Sequence, residues 1–118
     1  MKAIIEYLYS GLPVVATAAQ GGREVFLKAP FGVFVKPDKK TVSEAVYQLI
    51  EKNLDPYEIR TAALNMIEEH RQRFYDVVCQ IYRKEGFSAP DYAEFAQKLW
   101  RNEKGIENCA LRIEARKF

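Results

Sequence analysis

Two neighbouring glycines, Gly21 and Gly22, form a segment of this sequence that is suited to binding an anionic ligand. They follow a short apolar run, residues 14–17, which predicts a strand buried on both faces. Ligands of open α/β sheets bind beyond the carboxyl ends of the strands, and glycines there let backbone N–H groups approach an anion closely. A pair of glycines is also typical of a simple turn, and both interpretations stay open.

The other polar residues that could do chemistry are weaker candidates. Arg23 has the charge to meet a phosphate, but a solvated side chain is the simpler interpretation, and Glu24 is as well placed to cap a turn. His70 is the only histidine, and at a helix end its charged form would interact with the helix dipole. Cys79 and Cys109 lack metal-ligand spacing and predict two reduced thiols. We therefore expect no catalytic residue, no metal site and no cofactor.

The elements that must position the glycine pair begin with a helix and a strand. Residues 2–10 favour a helix, and Gly11 follows where a left-handed residue would end it. After the strand at 14–17, residues 23–28 favour a short helical turn and residues 31–35 a second apolar strand. A strand, a crossover and a strand are the beginning of an α/β layout.

Four helices are predicted after the second strand. Thr41 and Glu44 form a capping box for the first helix, and Asp55 followed by Pro56 begins the second. The apolar stripes of the four helices lie at helical spacing within residues 42–50, 59–67, 74–82 and 92–100.

The C-terminal part gives less regular signals. Gly105 is expected to end the fourth helix, and residues 109–115 alternate loosely enough to be a strand or an ordered tail. His70 is expected to close the second helix. The tyrosines and phenylalanines between residues 74 and 100 predict a packed core, and not a platform on which bases stack.

Taken in order, these segments resemble a signature of the retaining glycosyltransferases of the GT-B fold, the large family with glycogen synthase-like and sucrose synthase-like enzymes. Residues 6–17, E-Y-L-Y-S-G-L-P-V-V-A-T, match a helix with a glutamate that leads through Gly-x-Pro into a strand. Residues 21–24, G-G-R-E, match the loop that follows, and residues 32–37, G-V-F-V-K-P, match the next strand. Phe74 and Tyr82 fit aromatic positions of a late helix, so the likeness covers about residues 3–83.

The resemblance implies an α/β fold, a partial Rossmann-like unit with a small parallel sheet followed by several α-helices. Residues 1–86 would be the C-terminal portion of a GT-B nucleotide-sugar-binding domain, and residues 87–118 a helical extension and tail of unknown role. It also implies that Glu6 accepts hydrogen bonds from the nucleotide ribose, and that Gly21 and Gly22 lie near the donor phosphates or sugar. An ionised carboxylate is acceptor-only and can bind both vicinal hydroxyls, although an arbitrary helix glutamate is more often simply exposed.

Several parts of the family pattern have no counterpart in this sequence. The first of the family's two glutamates would fall before Met1, and the upstream strands, the basic residues that meet the pyrophosphate and the acceptor-binding domain are missing. We expect a truncated glycosyltransferase unit that binds a UDP-, GDP- or ADP-sugar without useful turnover on its own. The alternative is a non-catalytic interaction or nucleotide-binding module descended from the same family.

Composition and charge limit the classes of partner that the protein could bind. The 118 residues predict one domain, and the net charge of +2 is dispersed, which argues against a nucleic-acid partner. The longest nearly apolar stretch, residues 11–19, is too short to span a bilayer, and the N-terminus lacks the pattern of a signal peptide, so we expect a cytoplasmic protein. Because two parallel strands rarely stand alone, we also expect a homo-oligomer or a partner chain that completes the sheet.

Overall fold

The computed structural model describes residues 3–18, 23–28, 30–100 and 104–116 of the chain. It is a mixed α/β structure, mostly helical, and the predicted order of helix, strand, turn and strand is confirmed. The elements in chain order are α1 (Ala3–Tyr9), β1 (Val14–Thr17), a 3₁₀ turn (Arg23–Phe26), β2 (Gly32–Val35), α2 (Lys39–Glu51), α3 (Pro56–Lys84), α4 (Tyr92–Leu99) and α5 (Lys104–Ala115).

The two strands form a parallel pair, as expected, with Val14 opposite Gly32 and Thr17 opposite Val35. The N–H of Val14 donates to the C=O of Phe31 at 2.9 Å at the start of the pair. A side chain at Gly32 would require the backbone to shift, because a Cβ there would lie 2.9 Å from the Cα of Leu27. The second strand therefore begins at a glycine because Leu27 lies directly on its backbone.

Helix α1 ends at a left-handed glycine, which confirms the predicted helix stop. Gly11 has φ +68°, and its N–H donates to the C=O of Leu8 at 2.9 Å. The N–H of Leu12 reaches back to the C=O of Tyr7, also at 2.9 Å. These two bonds are those of a Schellman motif, which satisfies carbonyls at the helix end and turns the chain into β1.

Two arginines from distant parts of the chain bind the same helix end. The guanidinium of Arg60 in α3 donates to the C=O of Tyr9 at 2.7 Å, and that of Arg116 donates to the C=O of Ser10. Cations at a helix C-terminus interact favourably with the helix dipole. The contacts therefore connect α1 to α3 and to the end of α5.

Helix α2 begins earlier than the sequence predicts, so the Thr41–Glu44 capping box is wrong. The N-cap is Asp38, whose Oδ1 accepts from the N–H of Thr41 at 3.0 Å. The hydroxyl of Thr41 also turns back, and it donates to the C=O of Lys36 at 2.9 Å. The hydrogen bond from the Thr41 amide is the main cause that lowers the pKa of Asp38 below its ordinary value. A carboxylate three residues upstream is thus the acceptor that caps this helix.

Helix α3 is one helix of 29 residues, whereas the sequence predicted two. Its start is as predicted, with Oδ1 of Asp55 accepting from the N–H of Tyr57 at 2.9 Å and Pro56 in the first turn. The expected end at His70 is wrong, because that residue lies in the helix interior. No glycine or proline separates the two apolar stripes, so nothing in this stretch stops the helix.

The last two helices correct two further expectations. Helix α4 has Asp91 as its N-cap, whose Oδ1 accepts from the N–H of Ala93 at 2.8 Å, and it ends at Leu99 and not at Gly105. Gly105 lies inside α5, and residues 109–115 are helical instead of forming a strand or tail. Cys109 and Ile113 are four residues apart and therefore lie on one face of a helix. Both are buried, so the helix places its apolar face in the core.

The core surrounds α1. Its buried members come from α1, β1, the loop before β2, the first half of α3, and α5: Ile4, Leu8, Tyr9, Val14, Leu27, Ile59, Ala63 and Cys109. The C-terminal helix therefore packs on the helix that opens the chain, and both belong to one folded unit.

The prediction that the aromatic residues of 74–100 form the core is wrong. Phe74 and Tyr82 are exposed, and no residue of α4 is buried. The rings instead make a half-buried cluster between α3 and α4, with centroids 5.2 to 6.4 Å apart, formed by Phe74, Tyr75, Tyr92, Phe95 and Trp100. The guanidinium of Arg71 lies 5.0 Å from the Trp100 ring centre. This second cluster lies outside the core because α4 covers only part of α3.

Candidate functional site

Glu6, the residue predicted to contact a ribose, lies on the surface. It is in the first turn of α1 and exposed, and its side chain makes no hydrogen bond or ion pair within the part of the chain that the structure describes. Its backbone C=O accepts from the N–H of Ser10 at 3.0 Å, so the helix holds its position. A carboxylate with free acceptor positions on a fixed backbone can accept hydroxyl hydrogen bonds from a ligand.

The predicted glycine pair, Gly21 and Gly22, falls outside the described residues, so its proximity to Glu6 stays a prediction. The flanking segments are described. Strand β1 ends at Thr17, shortly before the glycine pair, and the 3₁₀ turn begins at Arg23, directly after it. This turn contacts α1, the helix that carries Glu6. Phe26 in this turn packs its ring edge-on against His70, with centroids 5.4 Å apart.

The histidine and the two cysteines make contacts that stabilise the fold. His70 contacts Phe26 in the middle of a helix, and not at a helix end. Cys79 and Cys109 are not joined by a disulfide, and both are buried, which the sequence did not predict. Over the described ranges, no group of three or more His, Cys, Asp or Glu side chains could hold a metal ion. Nor does any described helix combine the length and apolar character that a membrane span requires.

A feature that the sequence did not predict lies beside β1. A groove of about 580 Å³ runs between α1, β1 and α2, and its lining is apolar apart from one phenol: Tyr7, Leu12, Pro13, Val14, Val15, Val42, Val46, Leu49 and Ile50. Its size is within the range of ligand-binding cavities, but it offers almost no polar group that could orient a nucleotide. It is therefore a surface suited to apolar side chains.

One sequence signal could have revealed the groove. Helix α2 carries more apolar positions than a single core-facing stripe needs, and the structure divides them between two surroundings. Ala45 and Leu49 are buried, whereas Val46 and Ile50 are exposed at the groove. A wide apolar stripe next to a sheet with too few strands indicates a helix that faces uncovered surface as well as the core.

Comparison with protein-family models, with curated proteins and with solved structures finds no match to this chain. The likeness to GT-B glycosyltransferases therefore depends on the order and spacing of the segments described above.

Proposed function

We propose that this chain is the C-terminal portion of the donor-binding domain of a GT-B retaining glycosyltransferase, and that it supplies the ribose-contacting side of a nucleotide-sugar site. The order of local structures supports this. A helix bearing Glu6 ends at Gly11, a strand follows, and a turn leads to a second strand that is parallel to the first. The family pattern has the same sequence of elements, and that agreement carries the proposal.

In this proposal the chain binds a UDP-, GDP- or ADP-sugar through two groups. Glu6 accepts hydrogen bonds from both ribose hydroxyls, and the backbone N–H groups of Gly21 and Gly22 meet the diphosphate or the sugar. Enzymes of this kind position the donor and stabilise its leaving diphosphate. The groups proposed here contact the nucleotide part of the donor, so nucleotide binding is the property to be tested. Two cysteines that are not joined by a disulfide accord with a cytoplasmic location.

A second candidate function is a non-catalytic module that acts through protein contacts. The apolar groove beside β1 favours it, because a surface of this kind is usually covered by another polypeptide. The two candidates share one requirement: the two-stranded sheet is completed by a second copy of the chain or by a partner chain.

Isothermal titration calorimetry with UDP, GDP and ADP tests the nucleotide site. We expect one of the three to bind, and Glu6→Ala to weaken it by at least about tenfold, since hydrogen bonds to a charged group contribute about 1.5–3 kcal/mol. Glu51→Ala removes an exposed carboxylate from α2 and serves as the control that should leave binding unchanged. Absence of heat with all three nucleotides, or equal affinity of the two variants, would favour the non-catalytic module.

A further inference from the structure

The outer edge of β1 carries hydrogen-bonding groups that do not face β2. The N–H of Val14 donates across to Phe31 beside β2, and backbone groups alternate in direction along a strand. Val14 and Ala16 therefore direct their N–H and C=O groups toward β2, and Val15 and Thr17 direct theirs to the opposite side. Within residues 3–18, 23–28, 30–100 and 104–116, those groups have no backbone hydrogen-bond partner, and they form the open edge of the sheet.

The apolar groove lies along this same edge. Val14 and Val15, whose side chains point to opposite faces of the strand, both line it, so the groove extends around the edge of β1. Helix α1 contributes Tyr7, and helix α2 contributes Val46 and Ile50, all of them exposed. An open strand edge between two apolar helix surfaces is suited to receive another strand together with its flanking helices.

We propose that a second copy of this chain occupies the groove, with the two β1 edges pairing antiparallel about a two-fold axis. The inference rests on the proposal above that another strand completes the sheet, and it names that strand. The product is a four-stranded sheet in the order β2-β1-β1-β2, in which α1 and α2 of one protomer approach those of its partner.

The charge pattern favours self-pairing through β1. Residues 7–18 contain no charged side chain, so two copies of this surface meet without repulsion. Strand β2, in contrast, has Lys28 before it and Lys36 directly after it, and lysines are a common protection of strand edges against pairing. A closed two-fold contact brings the same surface of both copies together, and the lining of this groove carries no charge that would oppose such a contact.

The exposed area is sufficient for a partner of this size. The chain has 8625 Å² of accessible surface, whereas a compact protein of its mass has about 6,600 Å². The excess of about 2,000 Å² exceeds the roughly 800 Å² that each partner buries in a typical stable interface. Part of this excess lies on the exposed second half of α3, at Phe74, Val77 and Ile81, so the total area is enough for a partner of this size, and the strand edge and the charge pattern place that partner at the groove.

Light scattering and analytical ultracentrifugation over a concentration series test the dimer with a matched pair of variants. Ile50 and Tyr47 lie on α2 and are each 66% exposed, but of the two only Ile50 lines the groove. We expect the native chain and Tyr47→Glu to dimerise, and Ile50→Glu to weaken the dimer by at least about tenfold, because burying an unpaired charge is costly. Circular dichroism checks that both variants fold, as their exposed positions predict.

Hydrogen exchange followed by NMR tests the pairing itself. The amides of Val15 and Thr17 should exchange slowly in the dimer and quickly in Ile50→Glu, whereas Ala16, which faces β2, should be protected in both. A native chain that stays monomeric throughout the series would overturn the proposal. So would a dimer that Ile50→Glu leaves intact, or one in which the Val15 amide gains no protection. No nucleotide is present, so this result is independent of the calorimetry.

Discussion

At the scale of single residues, Gly11 meets two requirements that no other residue type meets. Its φ of +68° lies in the left-handed region, and a Cβ added there would approach Pro56 to 2.6 Å. Gly86, which ends α3, shares the first requirement but not the second: its φ is +79°, and nothing lies within 4 Å of an added Cβ. An alanine at Gly86 would therefore introduce backbone strain alone, whereas an alanine at Gly11 would introduce strain and steric overlap.

We predict that Gly86→Ala lowers the free energy of unfolding by about 1–2 kcal/mol, the cost of a left-handed alanine. Gly11→Ala should lower it by at least about 3 kcal/mol, because overlap with the start of α3 adds to the strain. Urea unfolding followed by circular dichroism measures both. Equal losses would show that Pro56 moves aside easily, and that α1 and α3 are not held in close contact at this point.

At the scale of elements, α3 and α4 are joined by a phenol and a carboxylate. The hydroxyl of Tyr92 in α4 donates to Oε1 of Glu68 in α3. Burial is the largest cause that raises the pKa of Tyr92 from 10.0 to about 12, followed by the hydrogen bond to Glu68 and its negative charge. The neutral phenol is the form that the folded protein favours.

The contribution of this contact to stability should therefore be complete below pH 10 and be lost as the pH rises toward about 12. Spectrophotometric titration of tyrosinate measures the pKa of Tyr92, since Tyr92→Phe should remove a phenol that ionises near pH 12. Glu68→Gln should lower the pKa of Tyr92 without restoring its ordinary value, because burial remains. Glu69→Gln, an exposed neighbour, is the control, and an equal effect of both glutamine variants would contradict the assignment.

Elements were predictable where a local signal determined them. Gly11 and Asp55 each determine a helix boundary through their own backbone or side chain, and both predictions are confirmed. The start of α2 was missed because Asp38 and Thr41 are both good capping residues, and sequence alone does not rank them. The continuity of α3 was missed because a polar stretch between two apolar stripes resembles a boundary although it contains no helix breaker.

The candidate site was less predictable than the elements. The exposure of Glu6 follows from its residue type, but its role depends on which other groups lie beside it in space. The wide apolar stripe of α2 indicates that part of this helix faces uncovered surface, but the position of the groove depends on how α2 lies across the edge of β1. Val46 and Leu49 belong to the same apolar stripe, yet one is exposed and the other buried.

At the scale of the whole molecule, the chain is extended. Its dimensions are 56 × 33 × 19 Å and its radius of gyration is 17.4 Å, compared with about 13.5 Å for a compact chain of this length. Helix α3, about 43 Å long, causes this. Ile59 and Ala63 in its first half belong to the core, while Phe74, Val77 and Ile81 continue at three- and four-residue spacing and are exposed.

The opposite end of the chain closes the core. Helix α5 packs on α1, Cys109 joins the core cluster, and the guanidinium of Arg116 binds the C=O of Ser10, 106 residues earlier. These contacts place both ends of the chain in the same core cluster. We therefore expect the first and last helices to unfold together, and not as separate units.

Two leucine-sized residues of α5 test this cooperativity. Ile113 is 2% exposed and Leu111 is 65% exposed, so Ile113→Ala should lower the free energy of unfolding by about 3 kcal/mol and Leu111→Ala by less than about 0.5 kcal/mol. Urea unfolding read by circular dichroism and by Trp100 fluorescence gives both values. If α5 belongs to the common core, the loss in Ile113→Ala shifts the midpoint of the entire transition. If α5 instead detaches by itself, Ile113→Ala produces a separate early transition of small amplitude and leaves the main midpoint in place, because the remaining helices and the strand pair would then be stable without it.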